Sequence, residues 1–122
     1  MFKALIKSST LPAVLIFCGA AFAEEMKLTT DEINAALAGA KVEGLQDGAR
    51  WSQSFGKNGA TTYSSSGRVE IGSWRAENDQ YCSQWPPRRE WSCYDMTGKG
   101  NNVTFIPSGG GKPWPAEIVE RR

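Results

Sequence analysis

The sequence contains no histidine, and its charges almost cancel, with 14 Lys and Arg against 13 Asp and Glu. Without an imidazole the chain cannot form a catalytic triad that uses histidine, most kinds of zinc site, or a histidine pH switch. A nearly neutral chain also argues against a protein that holds nucleic acid by charge, since such a protein needs a basic face. Binding, inhibition and catalysis by carboxylates alone stay open as function classes.

A short leader precedes the main part of the chain. Lys3 and Lys7 form a positive start, and residues 11–23 form an uncharged, mostly apolar run that ends in a small-x-small cleavage site. This pattern is typical of a secretory signal peptide, and the run is shorter than the ~20 residues that a membrane anchor needs. We therefore expect cleavage of residues 1–23, which leaves residues 24–122 as a single β-rich domain in the periplasm with no membrane span.

Cysteines are few, and the leader contains one of the 3 in the chain. Cleavage removes Cys18 and leaves Cys82 and Cys93, which in an exported protein predict one disulfide. If Trp85 faces Glu90 across a hairpin, Cys82 faces Cys93 in the same register, with Cβ atoms ~4.5–5.5 Å apart. Two free buried thiols are the alternative. Because two cysteines without a histidine make a poor zinc site, we expect no metal and no other cofactor.

The hydropathy pattern predicts one helix followed by short strands. Thr29 and Glu32 form a capping box at the start of a helix of about ten residues, and Gly39 ends it. Beyond Gly39 the apolar side chains alternate and turn-forming residues recur about every 8–12 residues, as in an antiparallel meander. The predicted strands are residues 51–55, 60–65, 68–71, 81–85, 91–96, 102–106 and 116–119.

These elements predict a mainly β fold. Gly72 is expected to form a bulge or kink before Trp74. The strands would form a small antiparallel barrel or sandwich, lipocalin-like in outline, because curling of the sheet protects its edges. The short N-terminal helix would then pack against one end.

The most unusual segment is residues 85–91, in which two tryptophans flank two prolines and two arginines. Trp85, Arg88, Arg89 and Trp91 could grip a sugar, a peptide carboxylate or a partner protein, since Trp and Arg are common anchors at interfaces. The alternative is that both tryptophans face the core and the arginines keep an exposed turn soluble.

A second group of aromatic residues could line the interior of a barrel. Trp51, Tyr63 and Trp74 fit an apolar ligand pocket, and they fit a packed core equally well. No catalytic residue is assigned. The candidate binding residues are Trp85, Arg88, Arg89, Trp91, Trp51 and Trp74.

Several of these features occur together in one known family. The residues that carry the pattern are Leu28, Thr29, Glu32 and Ile33 in the helix, Phe55, Asn58 and Gly59 at a turn, Gly72 and Trp74 in a Gly-x-Trp strand, and Cys82, Trp85, Cys93 and Tyr94. Over residues 27–106 the chain resembles a family of small exported, periplasmic proteins of unknown function from Gram-negative bacteria. The resemblance implies export and a β-rich shape, and it assigns no chemistry.

We therefore expect a periplasmic, non-enzymatic binding module. Its partner would be an envelope protein, a glycan or a small amphiphile, and not nucleic acid. One alternative is an inhibitor-like module that blocks an envelope protease or lysozyme, by analogy with other small exported barrels. Another is a small hydrolase that uses carboxylates, with Asp95 as a candidate.

Overall fold

The computed structural model describes residues 25–122, which form nine strands and one helix. The predicted signal peptide, residues 1–23, lies outside the described residues. In chain order the elements are β1 (Met26–Lys27), α1 (Thr30–Leu37), β2 (Ala40–Gln46), β3 (Ala49–Phe55), β4 (Ala60–Ser65), β5 (Arg68–Glu77), β6 (Gln80–Gln84), β7 (Trp91–Lys99), β8 (Asn102–Pro107) and β9 (Trp114–Arg121). None of the helical structure in residues 25–122 has the length and apolarity of a membrane-spanning segment.

Strands β2 to β9 form a closed barrel of eight antiparallel strands. Each strand pairs with the next one along the chain, and β9 returns to pair with β2. The predicted mainly β meander is therefore confirmed, and between barrel and sandwich the structure is a barrel. Because β9 pairs with β2, every barrel strand has a neighbour on both sides. This pairing protects the backbone groups that the edges of an open sheet would expose.

Short turns connect many of the strands. Two consecutive residues with positive φ form a type I′ turn, whose twist matches that of the antiparallel strands it joins. The turns of this kind are Asp47-Gly48, Ser66-Gly67 and Asn78-Asp79. Asn and Asp tolerate positive φ better than most residues, and glycine has no Cβ to oppose it, so these residues suit the turns. Ser66 is the one position in the three turns that is none of these residues.

The hairpin of β6 and β7 has the register that the cysteine spacing predicts. Cys82 lies opposite Cys93, and Tyr81 lies opposite Tyr94. The two cysteines form a disulfide, with 4.0 Å between their Cα atoms. Tyr81 belongs to the apolar core, so alternation along β6 places Cys82 and the disulfide on the outer face of the sheet. The predicted disulfide is confirmed.

Helix α1 closes one end of the barrel. The Thr29 hydroxyl accepts a hydrogen bond from the Glu32 N–H, and the Glu32 carboxylate accepts one from the Thr29 N–H, which confirms the predicted capping box. Ile33 and Leu37 are fully buried in the core. A helix of 8 residues is too short to be stable alone, so docking on the barrel holds α1 in place.

The two ends of the barrel differ. The helix end contains α1 and the connections at residues 56–59, 78–79 and 100–101, whereas the open end contains the other connections between barrel strands. Apolar side chains fill the helix half of the interior. They are Ile33, Leu37, Val42, Phe55, Trp74, Met96, Val103 and Ile118.

Sequence reasoning missed β1 and β2. In β2, Ala40 and Val42 are buried and alternate with Lys41 and Glu43, which are half-buried. The charges of Lys41 and Glu43 and the small size of Ala40 and Val42 weaken the alternation of hydropathy by which a strand is recognised. The Asp47-Gly48 turn that follows β2 is a clear turn sequence. β1 has only 2 residues and pairs with β7 beyond the end of β6, so it carries no periodicity to detect.

Gly72 lies in an unbroken strand. It pairs with Thr61, and the register of β4 and β5 continues on both sides without a shift, so the predicted bulge is wrong. A register shift does occur between Lys41 and Val42, where β2 meets β9. Gly72 instead makes room for Trp85, because a Cβ atom at Gly72 would lie 2.8 Å from the indole ring.

Candidate functional site

The open end of the barrel contains a cavity of about 280 Å³, which we call the cup. A cavity of about 150 Å³ is large enough for benzene, so the cup has room for a small ring system. The residues that line it are Trp51, Gln53, Tyr63, Glu70, Tyr81, Ser83, Trp85, Arg88, Tyr94, Phe105 and Trp114. Mostly aromatic walls with few polar groups are typical of a ligand site.

Alternation along the strands places these side chains inside the barrel. On β3, Trp51 and Gln53 are buried, whereas Ser52 and Ser54 are more exposed. Every second residue of a strand therefore faces the interior, and successive strands bring their inward residues together. The cup is built by long-range pairing and not by one continuous motif.

Two glycines give the tryptophans their positions. Gly44 pairs with Trp51 across β2 and β3, and a Cβ atom at Gly44 would lie 2.8 Å from the Trp51 Nε1. A Cβ atom at Gly72 would press on the ring of Trp85 in the same way. Each large ring thus occupies the space that a missing side chain leaves on a neighbouring strand.

The indole N–H of Trp51 is the one buried side-chain polar atom in residues 25–122 that has no hydrogen-bond partner. It lies against Gly44, where the nearest backbone leaves no space for another side chain. An unpaired buried donor costs free energy. Packing of the Trp51 ring against its neighbours must offset this cost.

Hydrogen bonds join the polar groups at the floor of the cup. The Gln53 Nε2 donates to the Thr61 Oγ1 and to the Tyr81 hydroxyl, both at 2.9 Å. The Trp85 Nε1 donates to the Ser83 Oγ at 3.1 Å. Burial raises the pKa of Tyr81 to about 12, although hydrogen bonds with Ser83 and Gln53 oppose the shift. Tyr81 is therefore neutral at physiological pH.

The aromatic rings of the wall contact each other in different orientations. Trp51 stacks on Tyr63 with 6.0 Å between ring centroids, and it meets Trp114 edge to face at 5.6 Å. Trp85 meets Tyr63 edge to face at 6.2 Å. A bound molecule would therefore contact both faces and edges of rings, an arrangement that suits a flat apolar group.

Charged residues surround the mouth of the cup. Glu70 forms an ion pair with Arg68 at 3.3 Å. Lys112 forms an ion pair with Asp47, which links the loop after β8 to the turn after β2. Arg88 lies in the turn after β6, where its N–H donates to the Trp85 carbonyl at 3.0 Å, and it also lines the cup.

The structure brings together half of the candidate binding residues. Trp51, Trp85 and Arg88 line the cup, and Tyr63, which sequence reasoning placed in a barrel interior, lies beside them. Of the two tryptophans and two arginines in residues 85–91, only Trp85 and Arg88 line the cup.

The other three candidates lie elsewhere. Trp74 is 6 % exposed and belongs to the core, where its Nε1 donates to the Gly56 carbonyl at 2.9 Å. Trp91 packs under Arg75, whose guanidinium carbon lies 3.9 Å from the ring centroid, and it does not line the cup. Arg89 is exposed and is also outside the cup lining.

Sequence reasoning missed much of the cup wall. Trp114, Tyr94 and Phe105 were predicted only as strand or loop residues. Tyr94 could have been found from the disulfide register, which sets it opposite Tyr81. Trp114 follows a Gly- and Pro-rich loop, and nothing near it in the chain indicates which way its side chain points.

The carboxylate proposed for a hydrolase lies away from the cup. Asp95 accepts a hydrogen bond from Gln80 at 3.1 Å and lies 3.8 Å from Lys27. Glu70 is the one carboxylate among the residues that line the cup. Within the described part of the chain, no three His, Cys, Asp or Glu side chains form a group that could hold a metal ion.

Comparison of the chain with models of protein families, with curated proteins and with solved structures finds no match. Membership of the exported family that the motifs resemble therefore stays a prediction.

Proposed function

We propose that the protein is an exported, non-enzymatic binding module whose cup holds one small ligand. The observation that carries this proposal is the difference between the two ends of the barrel. The buried side of α1 seals one end, whereas a cavity of about 280 Å³ opens at the other. A barrel of about eight strands is just wide enough to hold a single small ligand in this way.

The chemistry of the cup supports binding over catalysis. Hydrolysis by carboxylates needs two of them at a suitable separation, and among the described residues that line the cup Glu70 stands alone. Glu70 is also paired with Arg68. The Tyr81 phenol is held neutral by its raised pKa of about 12, so it is a weak candidate for a general base at neutral pH.

Export to the periplasm is supported by the leader pattern of residues 1–23 and by the bond between Cys82 and Cys93. Disulfides persist in oxidising compartments such as the periplasm. Protein produced in a Gram-negative host and released from the periplasm should begin at Glu24 in N-terminal sequencing. A chain that keeps Met1 and stays in the cytoplasmic fraction would contradict this part of the proposal.

The binding proposal is tested with a protein-observed NMR screen, in which small ring-containing compounds are added to isotope-labelled protein. Compounds that bind should shift the indole N–H signals of Trp51, Trp85 and Trp114 and leave that of Trp91 unchanged. Trp85→Leu should lower the affinity about tenfold, because it removes one aromatic wall. The matched control Trp91→Leu changes a tryptophan outside the cup and should keep the affinity. The proposal fails if no compound binds, or if Trp91→Leu lowers the affinity and Trp85→Leu does not.

A further inference from the structure

We propose that the cup selects a small anion with an apolar ring system, which inserts its rings among the aromatic walls and places its acid group on the Arg88 guanidinium. This inference rests on the proposed function, because it names the ligand class of the same cavity. Its basis is the state of the polar groups inside the cup, the size of the cavity, and the balance of charge at the mouth.

The polar groups of the floor already bind each other. Gln53 Nε2 donates to Thr61 and Tyr81, and the Ser83 hydroxyl accepts from Trp85. The amide N–H groups of Gln53 and the indole N–H of Trp85 are therefore already engaged within the protein, and burial of a ligand group left without a partner is costly. A sugar, with a hydroxyl on most of its carbons, would need many hydrogen-bond partners along a mostly aromatic wall, whereas an apolar ring requires none.

The size of the cavity sets the scale of the ring system. About 280 Å³ is nearly twice the ~150 Å³ that accepts benzene, so the cup matches one or two fused rings. The walls offer ring faces and edges, as the stacked Trp51 and Tyr63 and the edge-on Trp114 show. Flat aromatic groups gain from both kinds of contact.

The charge at the mouth favours an anion. Glu70 is paired with Arg68, and Asp47 is paired with Lys112. Arg88 forms no ion pair with any acidic residue in the described part of the chain, although it lines the cup. Its planar guanidinium is always charged, and it can bind a carboxylate or a similar acid group through two parallel hydrogen bonds.

A cation is the main competing ligand class, because aromatic walls can also bind a quaternary ammonium group. Such a cation would need the Glu70 carboxylate as its counter-charge. Arg68 already pairs with one oxygen of that carboxylate, Oε2, at 3.3 Å, and Arg88 would repel the ligand at the mouth. The charges of the described residues thus oppose a cation and leave a place for an acid group.

The test compares three probes with the same rings in titration calorimetry at one ionic strength. They are 2-naphthoate, the neutral 2-naphthalenemethanol, and the (2-naphthylmethyl)trimethylammonium cation. We expect 2-naphthoate to bind about tenfold or more tightly than the alcohol, as a hydrogen-bonded charge pair provides, and the cation to bind most weakly.

Two variants locate the acid group. Arg88→Gln should remove most of the advantage that 2-naphthoate has over the alcohol. Arg89→Gln is the matched control, since it removes the same charge from the same exposed turn at a residue that does not line the cup. Circular dichroism should show that both variants keep the β-rich fold.

The outcomes separate this inference from the function on which it rests. Equal binding of the three probes, tightest binding of the cation, or an equal loss in both arginine variants would overturn the anion assignment and leave the cup as a ligand site. Failure of all three probes to bind would count against the cup as a ligand site and so against both proposals. A loss of preference for 2-naphthoate in Arg88→Gln alone would support both.

Discussion

A Cβ atom on Gly72 would lie 2.8 Å from the Trp85 ring and would also press on the Gln84 carbonyl. Trp85 can therefore turn into the barrel only because the facing position of β5 carries no side chain. Gly44 has the same relation to Trp51 on the other side of the cup. The shape of the cup depends on these two glycines as much as on the aromatic rings.

Gly72→Ala should destabilise the fold and disturb the cup. The added methyl group overpacks the interior, which typically costs about 1–3 kcal/mol, and it should displace the Trp85 ring. Urea unfolding measures the first effect, and the Trp85 indole N–H signal in NMR reports the second. Gly109→Ala is the control, because a Cβ there meets open space and should change the unfolding free energy by less than about 0.5 kcal/mol. Equal stability of the two variants would contradict the prediction.

Tyr81 should make the protein less stable at high pH. Its pKa in the folded protein is about 12, against 10.0 for an unperturbed tyrosine. The fold favours the neutral phenol, so the protonated Tyr81 contributes fully to the free energy of unfolding below pH 10. As the pH rises from 10 towards 12 this contribution is lost, and the free energy of unfolding falls by up to roughly 3 kcal/mol. Urea unfolding over this range should show a steeper decline for the natural protein than for Tyr81→Phe. Parallel pH profiles would show that another group is responsible.

Thr30 and Asp79 link α1 to the turn between β5 and β6. The Asp79 carboxylate accepts hydrogen bonds from the Thr30 N–H at 2.9 Å and from its hydroxyl at 3.2 Å, and these bonds lower the pKa of Asp79. The fold favours the ionised carboxylate, so Asp79 stabilises the folded protein at pH values above its ordinary pKa of 3.8. This stabilisation is lost as the pH falls below that value. At pH 7, Asp79→Ala should unfold at a lower urea concentration than the natural protein. In acid, the gap between the two unfolding midpoints should be smaller. A gap that does not change with pH would argue against the carboxylate.

Removal of the disulfide should weaken the fold without altering its topology. Cys82→Ala combined with Cys93→Ala should lower the unfolding free energy by roughly 3 kcal/mol, because the unfolded chain regains the freedom of the closed loop. The pairing of Tyr81 with Tyr94 should survive in NMR contacts, since backbone hydrogen bonds hold the strands. A reductant should lower the unfolding midpoint of the natural protein alone. An equal response of the double variant would mean that the reductant acts elsewhere.

Local signals in the sequence predicted several elements correctly. The capping box of Thr29 and Glu32 and the pairing of Cys82 with Cys93 both depend on residues that are near each other in the chain. The disulfide register then follows from counting along a hairpin. β2 was missed because its alternation is carried by small side chains and by charges, which give little contrast in hydropathy.

The candidate site was harder to predict than the fold. Trp85 and Trp91 flank the same turn, yet Trp85 lines the cup and Trp91 packs under Arg75 outside the cup. Trp74 looked like Trp51 in sequence, but it lies in the core at the helix end. The depth of a side chain inside the barrel depends on which strands pair, so the chain neighbours of a tryptophan could not separate a cup residue from a core residue.

The sequence by itself determined a capped helix, most of the short strands with their turns, and one cross-strand disulfide, because each of these depends on neighbours no more than 11 residues apart. Only the tertiary structure decided that the meander closes, that α1 seals one end, and that rings from strands far apart in the chain meet at the other. A period of two residues says which side chains share a face of a strand. Which face becomes the interior, and how deep in it each residue lies, is set only when β9 pairs with β2 and the barrel closes.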